Sequence, residues 1–343
     1  MLAQLESCSF GSTAQSTQAT DARGGELTVW VELREIAAGR GAMLPKPGSG
    51  DTPARFVALA NWATRDLSLA RLVEGHVDAL AILEEAGLEP DSGATYGVWA
   101  ARQRAGGTTA RLTADGWRLT GEKPFCSGST RIDRALVTAE CEDGYRLFDV
   151  PVAENVTAVH AGSWPAVGMA DSLSETLEFG GPPVPRSCAV GPPEFYLERP
   201  GFWFGATGVA ACWYGGARGL VQEVLRGIGD HPSELVVAEL GHAVAHIDLM
   251  RRAIDSAARE IDDDPRDRAG VAKQRALVIR HAVHHAAQQV LAHAAAAGGA
   301  RPFCLNAEQA QRVADLYVYL AQYHGPHDAN VLGHMACGEW PWS

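Results

Sequence analysis

The chain has 343 residues, of which 46 % are hydrophobic and 20 % are charged. This length predicts about two domains around an ordinary hydrophobic core, and the composition excludes a chain that is disordered throughout. The formal net charge is −12, which argues against nucleic acid or an anionic membrane as a partner, because bulk attraction to either needs a basic face.

The cysteines and the apolar stretches of the sequence indicate in which cellular compartment the protein is expected. The seven cysteines include no C-x-x-C pair, which favours a reducing cytoplasm over a disulfide scaffold or a cysteine zinc site. The first residues lack the basic start and the apolar run of a signal peptide. The longest uncharged apolar stretch, residues 202–217, is shorter than the roughly 20 residues of a membrane span. We therefore expect a cytoplasmic protein and interpret this stretch as a buried core helix.

The N-terminal part is predicted to be a tail followed by helices. Residues 1–25 are rich in Ser, Thr, Gln and Gly and are predicted to be disordered. Residues 26–94 form the predicted N-terminal helical region. Its clearest helix covers residues 66–85, with Asp66 as the N-cap and Gly87 as the stop.

Residues 95–190 are predicted to form short antiparallel strands. Two Asp-Gly pairs, at 115–116 and 143–144, each lie between strand-like runs. Asp-Gly is a strong hairpin signal because glycine accepts a positive φ and aspartate tolerates it. Further strands are expected at residues 156–159 and 174–179. Together these segments predict a compact antiparallel barrel or sandwich.

Residues 200–343 are predicted to form a helical bundle. Apolar residues recur every three or four positions over residues 234–262 and 267–297, which is typical of buried helix faces. The second of these faces is rich in alanine, and Gly298 and Gly299 are expected to end its helix.

A last helix is predicted to begin at an Asn306 cap, with Gln309 at the capping-box position. It is expected to end at Tyr323, because Gly325 and Pro326 follow. The order of elements is thus helices, a β module and about four further helices, which predicts the α+β class.

Two groups of histidines raise the question of a metal site. Glu239 and His242 form an E-x-x-H motif with His246 one turn on, but a di-iron bundle needs two such motifs. A polar surface or a subunit contact explains both groups more simply. No metal is therefore predicted, and metal binding stays as the alternative. The second group shares one helix face and comprises His281, His284, His285 and Gln288.

An aromatic cluster lies in the uncharged apolar stretch. Core packing explains such a cluster most simply. The alternative is the wall of a pocket for a flat or acyl ligand, and the sequence leaves both interpretations open. The cluster comprises Phe202, Trp203, Phe204, Trp213 and Tyr214.

Residues 120–128 read T-G-E-K-P-F-C-S-G, and this passage resembles the flavin-binding strands of the acyl-CoA dehydrogenase family. Phe125 matches an aromatic residue that packs against the isoalloxazine ring in that family. Ser127 matches a hydroxyl that donates or accepts a hydrogen bond near flavin N5. Two residues apart on a strand, Phe125 and Ser127 are expected to face one side.

The resemblance covers roughly residues 30–340 and implies further contacts with FAD. Tyr96, Val98 and Trp99 match the strand beside the flavin's pyrimidine edge. Gly298 and Gly299 fit the glycine pair that meets the FAD of a neighbouring subunit, which implies a homodimer or homotetramer. The implied fold has N-terminal helices, a central antiparallel β-barrel and a C-terminal four-helix bundle.

The implied active site departs from the family pattern. Arg218 matches a family arginine near the active site, where it implies contact with the substrate. The two positions at which family members carry the catalytic glutamate are Ala217 and Ala336 here. Glu339 follows closely and is the predicted catalytic base. The lesser candidates for that base are His324 and His327.

The sequence therefore predicts an FAD-dependent oxidoreductase that acts on CH–CH bonds of a small molecule or an acyl thioester. Such a reaction needs a carboxylate to take the α-proton while hydride passes to the flavin. One alternative is a monooxygenase on the same scaffold that uses reduced flavin and O₂, which needs no such base. The other is a catalytically silent binding or assembly protein.

Overall fold

The computed structural model describes residues 28–40, 44–103 and 106–338, so the predicted tail at residues 1–25 lies outside the described residues. The chain begins with three helices. Asp66 accepts a hydrogen bond from the Leu69 N–H (2.8 Å), and Gly87 has a φ of 72°, so both predicted ends of the third helix are confirmed. The three helices are α1 (Thr28–Ala37), α2 (Thr52–Arg65) and α3 (Leu67–Glu85).

Eight strands follow in the described residues, with one short helix among them. Both predicted hairpins are confirmed, because β2 pairs with β3 and β4 with β5 in antiparallel register. The order in the sheet is β6-β7-β3-β2-β4-β5-β8, with β1 beside β4. The elements are β1 (Tyr96–Trp99), β2 (Thr109–Thr113), β3 (Gly116–Cys126), β4 (Arg134–Cys141), β5 (Gly144–Pro151), α4 (Val152–Asn155), β6 (Val156–His160), β7 (Glu175–Phe179) and β8 (Ala189–Val190).

The sheet differs from the predicted closed antiparallel barrel. β1 runs parallel to β4, and β2 also meets β4 in parallel where Thr109 faces Glu140. No pairing between the described strands joins β6 to β8, so the sheet is mixed and open. Hairpin signals report only neighbours joined by a tight turn, whereas β1 enters from the helical region and carries no such signal.

The remaining chain is helical, but the predicted C-terminal four-helix bundle is wrong in its membership. The helices α6, α7 and α8 pack on one another, and the N-terminal α2 is the fourth member, against α6 and α7. An apolar face predicts that a helix is covered and not which helix covers it. The helices are α5 (Phe195–Glu198), α6 (Pro200–Gly227), α7 (Glu234–Asp263), α8 (Ala272–Gly298), α9 (Arg301–Leu305), α10 (Ala307–Leu320) and α11 (Gly325–Gly338).

The end of the chain holds one more helix than the sequence predicts. The predicted Asn306 cap of α10 is confirmed, because its side chain accepts a hydrogen bond from the Gln309 N–H (3.1 Å). Gly325 and Pro326, expected only to end a helix, also begin α11. Proline is tolerated in a first helical turn because the N–H that it lacks has no partner there.

The long α6 runs through the core of the helical part, and the residue 202–217 stretch lies within it. Its close approach to α2 depends on Gly215, where a Cβ atom would lie 2.2 Å from the Ala60 carbonyl oxygen. Within the described ranges, no helix is long and apolar enough to cross a membrane.

A loop of the β module docks on α10. The Met169 N–H donates to the Asp315 carboxylate (2.6 Å), and the Gln311 amide donates to the Val167 carbonyl (2.9 Å). Between them, Gly168 lies so close to α10 that a Cβ atom would be 2.1 Å from the Ala314 carbonyl oxygen. This contact ties the sheet to the end of the helical part.

We expect Gly168→Ala to lower the free energy of unfolding by about 1–3 kcal/mol, because the backbone of α10 must move to make room. Urea denaturation measures this change. The matched control is Gly241→Ala in α7, where a Cβ atom meets nothing within 4 Å. The control should be neutral or stabilised by up to about 1 kcal/mol. Equal effects of the two substitutions would contradict the docking contact.

Candidate functional site

The end of β3 carries the two residues that the sequence predicts to face a flavin. The antiparallel register with β7 shifts between Lys123 and Cys126. Phe125 has a left-handed φ of 57° and is 62 % exposed, whereas Ser127 is 8 % exposed. The irregular register interrupts the alternation of the strand, so the two-residue spacing alone does not decide whether both side chains face one side, and that expectation stays a prediction. The outcome is an exposed aromatic ring close in sequence to a buried hydroxyl.

Ser127 begins a chain of three hydroxyl groups. The Ser127 and Ser174 oxygens lie 2.8 Å apart, the Ser174 and Ser172 oxygens lie 2.9 Å apart, and Ser172 donates to the Met169 carbonyl (2.8 Å). Each hydroxyl has one hydrogen to donate, and a carbonyl only accepts. Ser172 therefore accepts from Ser174, and Ser174 accepts from Ser127. The Ser127 oxygen keeps a lone pair and no free hydrogen, so it offers a ligand an acceptor.

The structure brings Trp99 to this site. Its indole N–H donates to the Ser127 carbonyl (3.0 Å), and its ring meets the Phe179 ring edge-on at 6.2 Å. Tyr96 is buried instead, where its hydroxyl accepts from the Asp91 N–H (2.9 Å). Val98 is half-buried under α3. Of the three predicted β1 residues, Trp99 is therefore the one in direct contact with Ser127.

His76 on α3 is a buried histidine that the sequence analysis missed. Its Nδ1 accepts a hydrogen bond from the Tyr96 N–H of β1 (3.2 Å), and burial lowers its pKa to about 4. The imidazole is therefore neutral at physiological pH. The sequence did carry a signal for it, because this histidine interrupts an otherwise apolar face of the predicted helix.

Charged side chains on one face of α3 form a cluster that is buried at Glu74 and exposed at Glu85, and the sequence analysis also missed it. Glu74 pairs with Arg71, and burial raises the pKa of its carboxyl group. Arg199, at the start of α6, pairs with Glu85 (2.8 Å) and approaches Asp78 (3.8 Å). Along α3, Arg71, Glu74 and Asp78 are three and four residues apart, and Glu85 follows two turns later, which was the signal that these charges share one face.

Arg218 holds two helices together. Its guanidinium donates to the Thr64 hydroxyl (2.6 Å) and to the Asn61 amide oxygen (2.8 Å), both on α2. It also lies over the Tyr214 ring at 5.5 Å. These contacts join α6 to α2 through the Nε and Nη2 groups of Arg218.

The structure leaves the predicted base without a position, because Glu339 lies outside the described residues. Ala217 is buried and Ala336 is half-buried. His327, a lesser candidate for the base, has a side chain that is 78 % exposed. Gly298 ends α8, and a Cβ atom on the following Gly299 would meet nothing within 4 Å.

The histidine groups make contacts with one another and with nearby side chains. Glu239 pairs with His293 of α8 (2.7 Å), and the His242 and His293 rings stack at 4.9 Å. On the other face of α8, His281 bonds to the Tyr323 hydroxyl (2.7 Å). Among the described residues, no group of three or more His, Cys, Asp or Glu side chains is arranged to hold a metal ion.

The described residues enclose two small cavities. The first, called here the β1 cavity, has a volume of about 240 Å³ and begins at the residues that follow β1. The second has about 220 Å³ and lies between the α2–α3 junction and α10. The β1 cavity is lined among others by Arg102, Tyr145, Arg146, Glu194, Tyr196 and Phe202. The second is lined among others by Arg65, Asp66, Gly216, Gln311, Arg312 and Asp315.

Solved structures share this architecture. TdsC from Paenibacillus sp. A11-2, a dibenzothiophene monooxygenase, matches in its complex with FMN and indole at 18 % identity and a TM-score of 0.74, over 90 % of this chain and 96 % of that one. The methanesulfinate monooxygenase MsuC from Pseudomonas fluorescens matches at 17 % identity and a TM-score of 0.72, over 91 % and 87 %. XiaF from Streptomyces sp., in complex with FADH₂ and glycerol, matches at 20 % identity and a TM-score of 0.68, over 85 % and 83 %.

No protein-family model and no curated protein sequence matches the chain. The structural likeness, at these low identities, shows the fold alone. It assigns the chain to no family, and the family that the sequence resembles stays a prediction.

We expect His76 to make the fold less stable as the pH falls from 6.5 to 4. In this window the unfolded chain binds a proton that the folded chain excludes, because the pKa is lowered from 6.5 to about 4. This contribution to the free energy of unfolding is therefore present above pH 6.5 and is lost as the pH falls to 4. The complete loss amounts to roughly 3 kcal/mol.

His76→Asn keeps an acceptor for the Tyr96 N–H and removes the titration. Its urea denaturation, measured between pH 7 and pH 4, should depend less on pH than that of the wild type. His231→Asn, at an exposed position, is the control and should follow the wild type. A variant at position 76 with unchanged pH dependence would contradict the assignment.

Proposed function

We propose that this protein is a flavin-dependent oxidoreductase and, within that class, a monooxygenase that uses reduced flavin and O₂ to oxidise a small molecule. When bound, flavin supplies electron transfer and, once reduced, the activation of O₂. The fold shared with TdsC and XiaF, which are solved with FMN and FADH₂, supports the flavin. The chain's own residues support the choice within the class.

The residues at the end of β3 fit a flavin. Phe125 presents an exposed ring on which a flat heteroaromatic system can stack. Ser127, held by Trp99 through its carbonyl, presents a polar atom for the edge of such a ring. Phe125 and Ser127 are therefore the proposed flavin contacts, with Trp99 in support.

The direction of the hydroxyl chain is the observation that carries the proposal. Ser127 uses its only hydrogen on Ser174, so it accepts from a ligand and does not donate. Reduced flavin carries an N–H at N5, whereas oxidised flavin has a lone pair there. Ser127 therefore favours the reduced form, which is the form that reacts with O₂ in a monooxygenase.

The second candidate is the FAD-dependent CH–CH oxidation that the sequence predicts. It needs a general base, and alanine occupies both positions where the resemblance implies one. Glu74 is the observation in its favour, because it is a buried carboxylate whose pKa is raised. Its pairing with Arg71 opposes that role, because the guanidinium occupies the carboxylate. The monooxygenase needs no such base and is the stronger proposal.

We expect the protein to bind reduced flavin more tightly than oxidised flavin, by a factor of about 5 for one net hydrogen bond of roughly 1 kcal/mol. Anaerobic titration with FAD and FMN in both redox states measures the ratio. Ser127→Ala should remove this preference. Ser174→Ala should also remove it, because the freed Ser127 hydroxyl can then donate to oxidised N5 as well as accept from the reduced N–H.

Phe125→Ala should weaken the binding of both oxidised and reduced flavin, because the stacking contact is lost. Tyr317→Ala is the matched control, because Tyr317 is an aromatic residue of similar exposure, 60 %, on α10. Uptake of neither FAD nor FMN by the wild type would leave the silent binding protein as the remaining interpretation. An equal loss of flavin affinity in the two aromatic variants would show that Phe125 is not part of the flavin site.

The two reactions can be separated with defined probes. Protein loaded with reduced flavin should transfer an atom of ¹⁸O₂ to indole or a related small aromatic, detected by mass spectrometry. A CH–CH dehydrogenase would instead let butyryl-CoA bleach the oxidised flavin without O₂. Bleaching of that kind would overturn the monooxygenase proposal and restore the dehydrogenase.

A further inference from the structure

We propose that the β1 cavity is the substrate site and that its substrate is a planar aromatic compound carrying a carboxylate or a similar anionic group. The role of this ligand as a substrate rests on the proposed function. The ligand class itself is argued from the walls of the cavity and the charges in them.

The walls of the cavity select a flat ring of limited size. Tyr145, Tyr196 and Phe202 line it, and the last two rings meet edge-on at 5.4 Å. Its volume of about 240 Å³ exceeds the roughly 150 Å³ of an engineered cavity that binds benzene. One or two fused rings therefore fit, whereas the nucleotide arm of an acyl-CoA is far too large. Phe202 thus belongs to a pocket wall, which was the alternative interpretation of the aromatic cluster.

The polar lining has more donors than acceptors. Arg102 and Arg146 line the cavity, and Glu194 is the one carboxylate among the described lining residues. Glu194 is already engaged, because it accepts from the Tyr145 N–H (2.8 Å) and pairs with Arg102 (3.3 Å). The lining therefore offers N–H donors, and a ligand that carries a hydrogen-bond acceptor would satisfy them.

Both arginines keep donors available for a ligand. The hydrogen bonds found among the described residues use only Nη2 of Arg102, and only Nε and Nη2 of Arg146, which binds Asp143. The Arg102 guanidinium also lies 3.8 Å from the centre of the Tyr145 ring, which holds it in place. A guanidinium fixed in this way and still rich in N–H groups is suited to a carboxylate.

A buried lysine adds positive charge behind the wall. Lys123 donates to the Ala101 carbonyl (3.2 Å) and to the Thr138 hydroxyl (3.1 Å), and Thr138 lines the cavity. Burial and the nearby Arg102 lower the pKa of Lys123 to about 8, which still leaves it mainly charged at neutral pH. Its hydrogen bonds among the described residues go to carbonyl and hydroxyl oxygens and to no carboxylate. The local excess of cations in a chain of net charge −12 favours an anionic ligand.

The cavity is also close in the chain to the proposed flavin site. Ala100 and Arg102, which line it, directly follow Trp99, whose indole bonds to the Ser127 carbonyl. The same strand end therefore carries a flavin-supporting residue and the start of the cavity. This continuity is the reason for assigning the ligand as a substrate.

The test is calorimetric titration of the protein with two matched probes, indole-3-carboxylate and neutral indole. We expect the carboxylate to bind at least about tenfold more tightly, because a charge-assisted hydrogen bond to arginine is among the strong ones. Arg102→Met should abolish this difference and leave indole binding unchanged. Leu197→Trp, which fills the cavity, should weaken both probes. Arg186→Met, at an exposed position outside the lining, is the charge-matched control.

Equal affinity for the two probes, no binding of either, or an equal effect of the variants at 102 and 186 would overturn the proposal. Displacement of flavin by the carboxylate would also overturn it, because the cationic wall would then serve the flavin phosphate. Flavin content is read from visible absorbance in the same samples, and circular dichroism checks that each variant is folded. If the wild type binds flavin but shows no preference between the probes, this inference alone is overturned. If the protein takes up no flavin, the proposed function is overturned.

Discussion

The contact between α3 and β1 is the constraint on which the rest of the site depends. The Tyr96 N–H donates to His76 at this contact, and the strand lies against Gly75, whose Cβ position would be in ordinary contact with the Val98 nitrogen at 4.0 Å. The same strand continues to Trp99, which holds the Ser127 carbonyl. A shift of α3 relative to the sheet would therefore move both the hydroxyl chain and the wall of the β1 cavity.

Burial of charge along this contact has an energetic consequence. Arg71 and Glu74 are taken out of water as a pair, which costs desolvation and gains stability only if the two groups stay together. Removing one partner leaves the other charge buried and uncompensated. Because Arg71 and Glu74 both lie on α3, their pair stabilises this helix and does not fix its position against other helices. The pairs of Arg199 with Glu85 and Asp78 do join α3 to the start of α6. The cluster on α3 thus complements the apolar packing of α2 against α6.

The chemistry at the end of β3 depends on the direction of hydrogen bonds as well as on residue type. A serine hydroxyl can donate or accept, and its neighbours decide which role remains. Here Met169 supplies a carbonyl at the far end of the chain, and the loop that carries it is held to α10 through Asp315. The helical part therefore sets, through this loop, the hydrogen-bonding role of a residue on the sheet.

Local patterns were enough to predict the elements that depend on neighbouring residues. The Asp66 and Asn306 caps, the two Asp-Gly hairpins and the long helices follow from spacing and turn chemistry, and the structure confirms them. The passage around Phe125 and Ser127 could be singled out from residue types alone. Its conformation could not, because the left-handed φ of Phe125 arises where β3 loses register with β7.

Tertiary structure decided everything that depends on distant segments. The parallel placement of β1 beside β4, and α2 as the fourth helix of the bundle, join segments that lie far apart in the chain. Arg218 is assigned to a substrate by resemblance, yet its Nε and Nη2 groups bind α2. The β1 cavity joins Arg102, Arg146 and Phe202, whose charges and rings converge only after folding. Sequence alone therefore determined the local elements, whereas long-range packing decided which side chains meet, because contact between distant residues leaves no periodic signal in the chain.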